Sequence, residues 1–392
     1  MSQKPRLAVI TTVYRPFSHC DVIVSRWLDP RASDAAFGWP AMGGTEPATE
    51  IASFYIDQFP DNDIGRETGA RHKIPVFESV REALALGGQE LAVDGVLLIA
   101  EHGDYPYNRF FQKQYPRAKL FNEITEVFRD SGRSVPVFND KHLSYDSLAA
   151  RNMVAVADEL GFPLMAGSSL PCAGFAAPWL MPSGTALDEG IGLFYCGPES
   201  YGHHSIEFLQ SAVARRSGGE SGICSITAYC GDSFWEAAEK GQWSDDLMKA
   251  ALSQTITAQP GNYRDNLREY GPAVDVPRPW PVAFCFEHAD GLKTSHIMLH
   301  GHIEEFAIAV KERSGQKYSG RDVTSVNTQN SFFGHFAALN SQIEKFMLSG
   351  EPPFPIEHHL LCTLALSTSV RAMTTPGQTV ETPELVMPYV LS

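Results

Sequence analysis

The chain lacks any apolar run approaching the roughly 20 residues that a helix needs to span a bilayer. Its opening, MSQKPRLAVITT, has no signal-peptide pattern and runs directly into a strand. Paired cysteines are also missing. The seven present (Cys20, Cys172, Cys196, Cys224, Cys230, Cys285 and Cys362) are scattered with no Cys-x-x-Cys spacing. That excludes a zinc ribbon and points to reduced thiols in a cytoplasm. Positive charge is scarce: 31 Lys and Arg stand against 46 Asp and Glu, a net charge of −15. A nucleic-acid surface needs a basic patch, so that class of partner is excluded. No Ser-His-Asp nucleophile motif, phosphate P-loop, internal repeat or low-complexity tract is present.

What remains is ordinary globular material, 43% apolar and 20% charged, and 392 residues suffice for two domains. Strand and helix signals alternate over the first 170 residues, which predicts a parallel sheet covered on both faces. Leu7–Thr12 reads as a buried strand, and Ser18 as the cap of a helix through Leu28. Residues 29–48 read as a loop excursion, and Ile51–Ile56 as a second strand ending at Asp57. Gly95–Ala100 is almost pure Val, Leu and Ile, as expected of a strand buried on both faces. Beyond residue 170, strands come first and helices later. A hairpin turn at Asp290-Gly291 and two closing helices, about 333–348 and 358–372, belong to that half. The expectation is a Rossmann-like α/β domain over 1–170. An α+β domain over 171–392 follows, with a large, mostly antiparallel open sheet.

The richest stretch is PVFNDKHLSYDSLAARNMVAVADELGFPLMAGSSLP, residues 136–171. The strand Val135–Phe138 runs into Asp140-Lys141, placing an acid and a lysine where open α/β sheets bind ligands. A second constellation is Gly202-His203-His204-Ser205-Ile206-Glu207. On a helix, His204 and Glu207 share a face, so the acid is placed to orient the imidazole.

These two motifs, in this order, resemble the glucose–fructose oxidoreductase/inositol dehydrogenase (Gfo/Idh/MocA) family. Its members carry Glu-Lys-Pro at the first position and Gly-x-His-x-x-Asp at the second. Here the tripeptide is Asp140-Lys141-His142, so the acid and lysine are kept and the proline is lost. The resemblance covers nearly the whole chain. It implies a Rossmann-like domain and a second domain whose open sheet covers the active site and mediates a dimer or tetramer. It also implies closing helices that return to the first domain. It makes His204 the base candidate and Lys141 its partner at a sugar hydroxyl, and it puts Asp140 beside the nicotinamide ribose of NAD or NADP. The plain alternative is a surface lysine and an ordinary helix histidine.

The departure from the family lies in the first turn. Dinucleotide-binding strands feed a Gly-x-Gly-x-x-Gly turn, where absent side chains let the pyrophosphate approach a helix N-terminus. Here the turn is Thr11-Thr12-Val13-Tyr14-Arg15-Pro16-Phe17-Ser18-His19, without a glycine. Arg15, the hydroxyls of Thr12 and Ser18, and the helix amides are the remaining anion ligands; a loop arginine and a plain N-cap are the alternative. Asp57 sits where the family's acid binds the adenosine ribose, but some 45 residues beyond the first strand instead of about 20.

Glu101-His102-Gly103-Asp104 ends the fourth strand beside the expected nicotinamide position. Glu101 is assigned to the cofactor, and His102, Asp104 and His203 to a polar substrate. Glu101, His102, His142 and His203 are also candidates for an oxygen- and nitrogen-rich divalent metal site. His288, His296, His300 and His302 read as polar residues of an open sheet face, with His300 and His302 on one side of a strand. His358-His359 reads as a cap or surface pair. Three functions follow: an NAD(P)-dependent sugar or polyol oxidoreductase, a non-redox lyase, hydrolase or isomerase on the same scaffold, or a non-catalytic sensor. The retained lysine and histidine count against the last.

Overall fold

The structure, a computed structural model, describes residues 4–28, 46–110, 112–176, 179–268, 280–322 and 334–391. The expected excursion over 29–48 therefore lies almost wholly outside the described residues. The chain forms two compact units. The first is Met1–Pro106, Gln114–Cys172 and Asn327–Ile356; the second is Tyr107–Lys113, Ala173–Val326 and Glu357–Ser392.

The first unit alternates strand and helix: β1 (Arg6–Thr11), α1 (His19–Leu28), β2 (Glu50–Ile56), α2 (Gly65–His72), β3 (Val76–Phe77), α3 (Val80–Ala85), β4 (Gly95–Ile99), α4 (Arg117–Ser131), β5 (Val137–Asp140), α5 (Ser147–Glu159) and β6 (Leu164–Gly167). The sheet order is β3-β2-β1-β4-β5-β6, and every pairing is parallel. The order reverses between β1 and β4, so loops after β1, β4 and β5 open on the crevice where doubly wound sheets take ligands. All of β4 and β5 is buried, which explains the unbroken apolar run of β4. One side of the sheet packs Leu7, Val9, Phe54, Leu97 and Phe138 against α1 and a returning helix, Gly334–Ser349. That helix contributes Phe336, Ile343 and Phe346 to the same core.

The second unit opens on a short helix shared across the boundary, α6 (Ser169–Ala173). It continues with β7 (Leu187–Phe194), α7 (Ser200–Val213), β8 (Ile223–Cys230), α8 (Asp232–Glu239), α9 (Asp245–Leu252), α10 (Tyr263–Asn266), β9 (Val282–His288), β10 (Lys293–Met298), β11 (Ala307–Glu312) and β12 (Lys317–Arg321). The returning helix of the first unit is α11, followed by α12 (Ile356–Ala372) and β13 (Thr379–Glu381). The sheet order is β12-β11-β7-β10-β9-β8-β13, antiparallel except for β7 with β10. The hairpin joining β9 to β10 turns at Asp290-Gly291, with Gly291 at φ 87°.

Side-chain alternation separates the two faces of this sheet. Ile191, Leu193, Ala283 and Ile297 face a core built with Phe234, Trp243 and Leu247 of α8, α9 and their connection. Gly192 and His296 face α7, whose Ser205 hydroxyl lies 3.0 Å from His296 Nδ1. A side chain at Gly192 would meet that hydroxyl at 2.8 Å, so the glycine allows the helix to lie this close.

Several expectations need correction. β5 runs two residues further than expected, because Asn139 and Asp140 pair with Ala166 and Gly167 of β6. His288 and His296 do not lie on a solvent face. Both are buried, His288 Nδ1 against Glu220 Oε1 at 2.9 Å and His296 against Ser205. His300 and His302 are not on one side of a strand, because β10 ends at Met298 and the chain turns at Gly301, φ 89°. His358 and His359 are buried in α12 rather than at the surface. α12 belongs to the second unit, where Leu366 approaches Gly202 of α7.

Candidate functional site

The strand ends of the first unit gather charge under cover. Asp140, the last residue of β5, is 1% exposed. Lys141 follows in a left-handed conformation, φ 67°, with its amide and carbonyl paired to Gly167 at 3.0 Å each. A lysine in that backbone region is strained, and strain of this kind collects at functional sites. Its ammonium, itself buried, lies 3.9 Å from Glu101 Oε1. The other oxygen of Glu101 accepts from Arg117, which opens α4 and is fully buried. Arg117 Nη1 also lies 3.2 Å from His142 Nε2. Burial pushes the Glu101 carboxyl up, but the Lys141 and Arg117 cations outweigh it and hold it at about 2. Glu101 is therefore an anion clamped between two cations. A carboxylate so compensated does not attract a further cation.

Two residues of this group escaped sequence reasoning. His19, the first residue of α1, places Nδ1 2.6 Å from Asp140 Oδ2. Its ring packs edge-on against His102 and Phe336, at 5.0 and 5.1 Å between centroids. Arg117 had a visible signal: a cation in the first turn of a helix opposes the macrodipole. His102, at φ 70°, turns its Nδ1 to accept from the His19 amide at 3.4 Å. Desolvation, with the His19 ring second, lowers the His102 imidazole to about 3, so it is neutral.

The glycine-free turn is closed by its own groups. Thr12 Oγ1 donates to the Glu101 carbonyl at 2.9 Å. Ser18 Oγ accepts from the Arg15 and Asp21 amides at 3.2 and 3.3 Å, which makes it the cap expected. Asp21 Oδ2 accepts from the Phe17 amide at 2.9 Å. Tyr14 is buried, its ring 5.8 Å from that of Phe54, while Phe17 is 61% exposed at φ 61°. Arg15 is half-buried and bonds the Pro16 carbonyl at 3.3 Å. Asp57 takes Tyr55 OH at 3.0 Å on one oxygen and Tyr105 OH at 2.6 Å on the other. Beside it lies a cleft of about 470 Å3 lined by Tyr55, Asp57, Phe59, Arg66 and Glu78. Asp104 is exposed, and its backbone is pinned by Gln58.

In the second unit, α7 carries the other motif. The His204 ring packs edge-on against Tyr201 and Phe306, at 5.7 and 5.6 Å. Glu207, expected beside His204, places Oε1 2.8 Å from His359 Nδ1 and Oε2 3.4 Å from His203 Nε2. The physical reason is periodicity: positions four apart stack on a helix, so His203 lies directly one turn below Glu207. Among the described residues, Glu101, His102, His142 and His203 do not converge as a metal site. The one group of three or more donors that does is Glu207, His358 and His359. Glu101 is already engaged by the Arg117 and Lys141 cations.

A doubly wound parallel sheet followed by a seven-stranded mixed sheet is a two-domain architecture shared with solved oxidoreductases. Solved structures bear this out. The chain is similar to GenD2 from gentamicin A biosynthesis in complex with NAD, at 14% identity over 97% of both chains, with a TM-score of 0.59. It is similar to myo-inositol dehydrogenase from Lactobacillus casei in complex with NAD(H) and myo-inositol, at 11% identity, 97% of both chains and a TM-score of 0.58. An oxidoreductase from Agrobacterium radiobacter in complex with NAD+, L-tartaric acid and magnesium matches at 13% identity, 97% and 98% coverage and a TM-score of 0.58. No protein-family model matches the chain, and no curated protein matches it in sequence. Among the described residues, no helix is long and apolar enough to cross a membrane.

Proposed function

We propose that the chain is an oxidoreductase of the Gfo/Idh/MocA type, removing hydrogen from a hydroxyl of a sugar, polyol or related compound with NAD or NADP. The observation that supports it most is the strained, buried Lys141 at the carboxyl end of β5. A desolvated ammonium on a rigid turn is positioned to hold a hydroxyl oxygen. His204 and Lys141 share the proton of that hydroxyl, with Glu207 positioning α7. His102, Asp104 and His203 are assigned to the substrate's other polar groups.

A dinucleotide meets this chain's residues only in part. Asp57 and Asp140 stand at the β2 and β5 ends that the resemblance gives to the two riboses, and the α1 N-terminus faces the crevice. Thr12, Arg15 and Ser18 would flank the pyrophosphate and Glu101 the nicotinamide, whose chemistry is to accept the hydride. Against this, His102 already covers the His19 amide, Ser18 caps its own helix, and Asp57 is engaged by two tyrosines. These contacts favour a second reading, a non-redox lyase, hydrolase or isomerase in which the Asp140–His19 pair does acid–base work. A homodimer or tetramer through the second-unit sheet belongs to either reading.

The discriminating assay follows cofactor reduction by the full chain with a panel of sugars, inositols and polyols. Reduction that Lys141→Met lowers by about 10²–10⁴-fold supports the oxidoreductase, the usual size of a positioned proton-transfer group. Turnover of a substrate with no change in cofactor supports the second reading instead.

A further inference from the structure

Away from the strand ends, α7 and α12 bring four metal-type side chains to one place inside the second unit. His203 and Glu207 lie one turn apart on α7, and His358 and His359 are neighbours on α12. Donor atoms of Glu207, His358 and His359 all lie within 4.8 Å of one another. His203 Nε2 adds a third imidazole at 3.4 Å from Glu207 Oε2. All four residues are at most 3% exposed. Such a set is costly to bury for structure alone, because a carboxylate out of water needs a compensating cation.

We propose that Glu207, His358 and His359 hold a divalent transition metal such as Zn2+ and tie α7 to α12, with His203 as an outer partner on the Glu207 carboxylate. Two imidazole nitrogens and one carboxylate oxygen are the protein donors of three-ligand zinc sites, where water takes the fourth position. An outer layer is present as well. The Tyr389 hydroxyl lies 2.8 Å from His358 Nδ1 and accepts from Gln210 Nε2 at 3.0 Å, which fixes the ring. His203 and Glu207 also figure in the proposed function, but the strand-end residues take no part, so metal uptake and cofactor reduction are read separately.

The test is metal content and stability of the full-length chain, stripped by chelator and titrated with Zn2+ or Co2+. We expect about one ion per chain, a rise in melting temperature on refilling, and a cobalt absorption spectrum of four-coordinate type. His358→Gln and His359→Gln should each weaken uptake by more than about 100-fold, the upper end of what outer partners alone contribute. His102→Ala should bind as wild type. A stripped chain that takes up no stoichiometric ion overturns the proposal, as do His358→Gln and His359→Gln chains that bind normally. Should those variants fail to fold, the wild-type cobalt spectrum decides, and a six-coordinate spectrum overturns it.

Discussion

At the scale of single residues, the first unit depends on how Glu101 is held. Replacing it with Gln leaves Arg117 and Lys141 buried without their anion, and breaking a buried pair from one side costs about 3–5 kcal/mol. Urea unfolding of Glu101→Gln at neutral pH should show a loss of that size. The same carboxylate sets an acid limit. Its folded value of about 2 lies below the ordinary glutamate value of 4.5, so its contribution is complete above pH 4.5 and is lost as pH falls toward 2. Wild type should therefore lose stability across that window, and Glu101→Gln should lose less there. On α7, His204→Ala should lower turnover by about 10²–10⁴-fold with circular dichroism unchanged. Full activity in that variant would remove His204 from the chemistry.

At the scale of elements, the strands were the most legible feature. The unbroken apolar run of β4 and the alternation of strand and helix are direct consequences of a sheet buried on both sides. β5 extends two residues past its apolar stretch, since Asn139 and Asp140 look like turn residues until their pairing with β6 is known. Placement of Asp140-Lys141 at the strand's carboxyl end survives that shift. Pairings between distant helices were not legible. Nothing in the sequence around His358-His359 signals that these side chains meet Glu207, more than 140 residues earlier. His19 was hidden similarly, because Asp140 reaches it across the sheet. The close approach of α7 to β7 gives an element-scale prediction. Gly192→Ala should destabilise the chain by about 1–3 kcal/mol in thermal or urea unfolding, because its new methyl would press on Ser205 and His296. No change in midpoint would show that the helix yields freely.

At the scale of the whole molecule, the fold and the cofactor turn point in different directions. The architecture is shared with proteins crystallised with NAD, a myo-inositol dehydrogenase among them, yet the turn after β1 has Tyr14 in the core and the following helix amide met by His102. A fold does not fix a function, so the residues of the turn carry the decision. If the dinucleotide binds, Arg15 is the nearest cation in the turn, and a charge-assisted bond contributes about 1.5–3 kcal/mol. The most direct measurement is calorimetry of the full chain with NAD and with NADP, repeated on Arg15→Ala. The oxidoreductase account predicts saturable binding of one of the two, weakened by about 10–100-fold in Arg15→Ala. No heat with either cofactor would contradict it and leave the non-redox enzyme as the reading of this site.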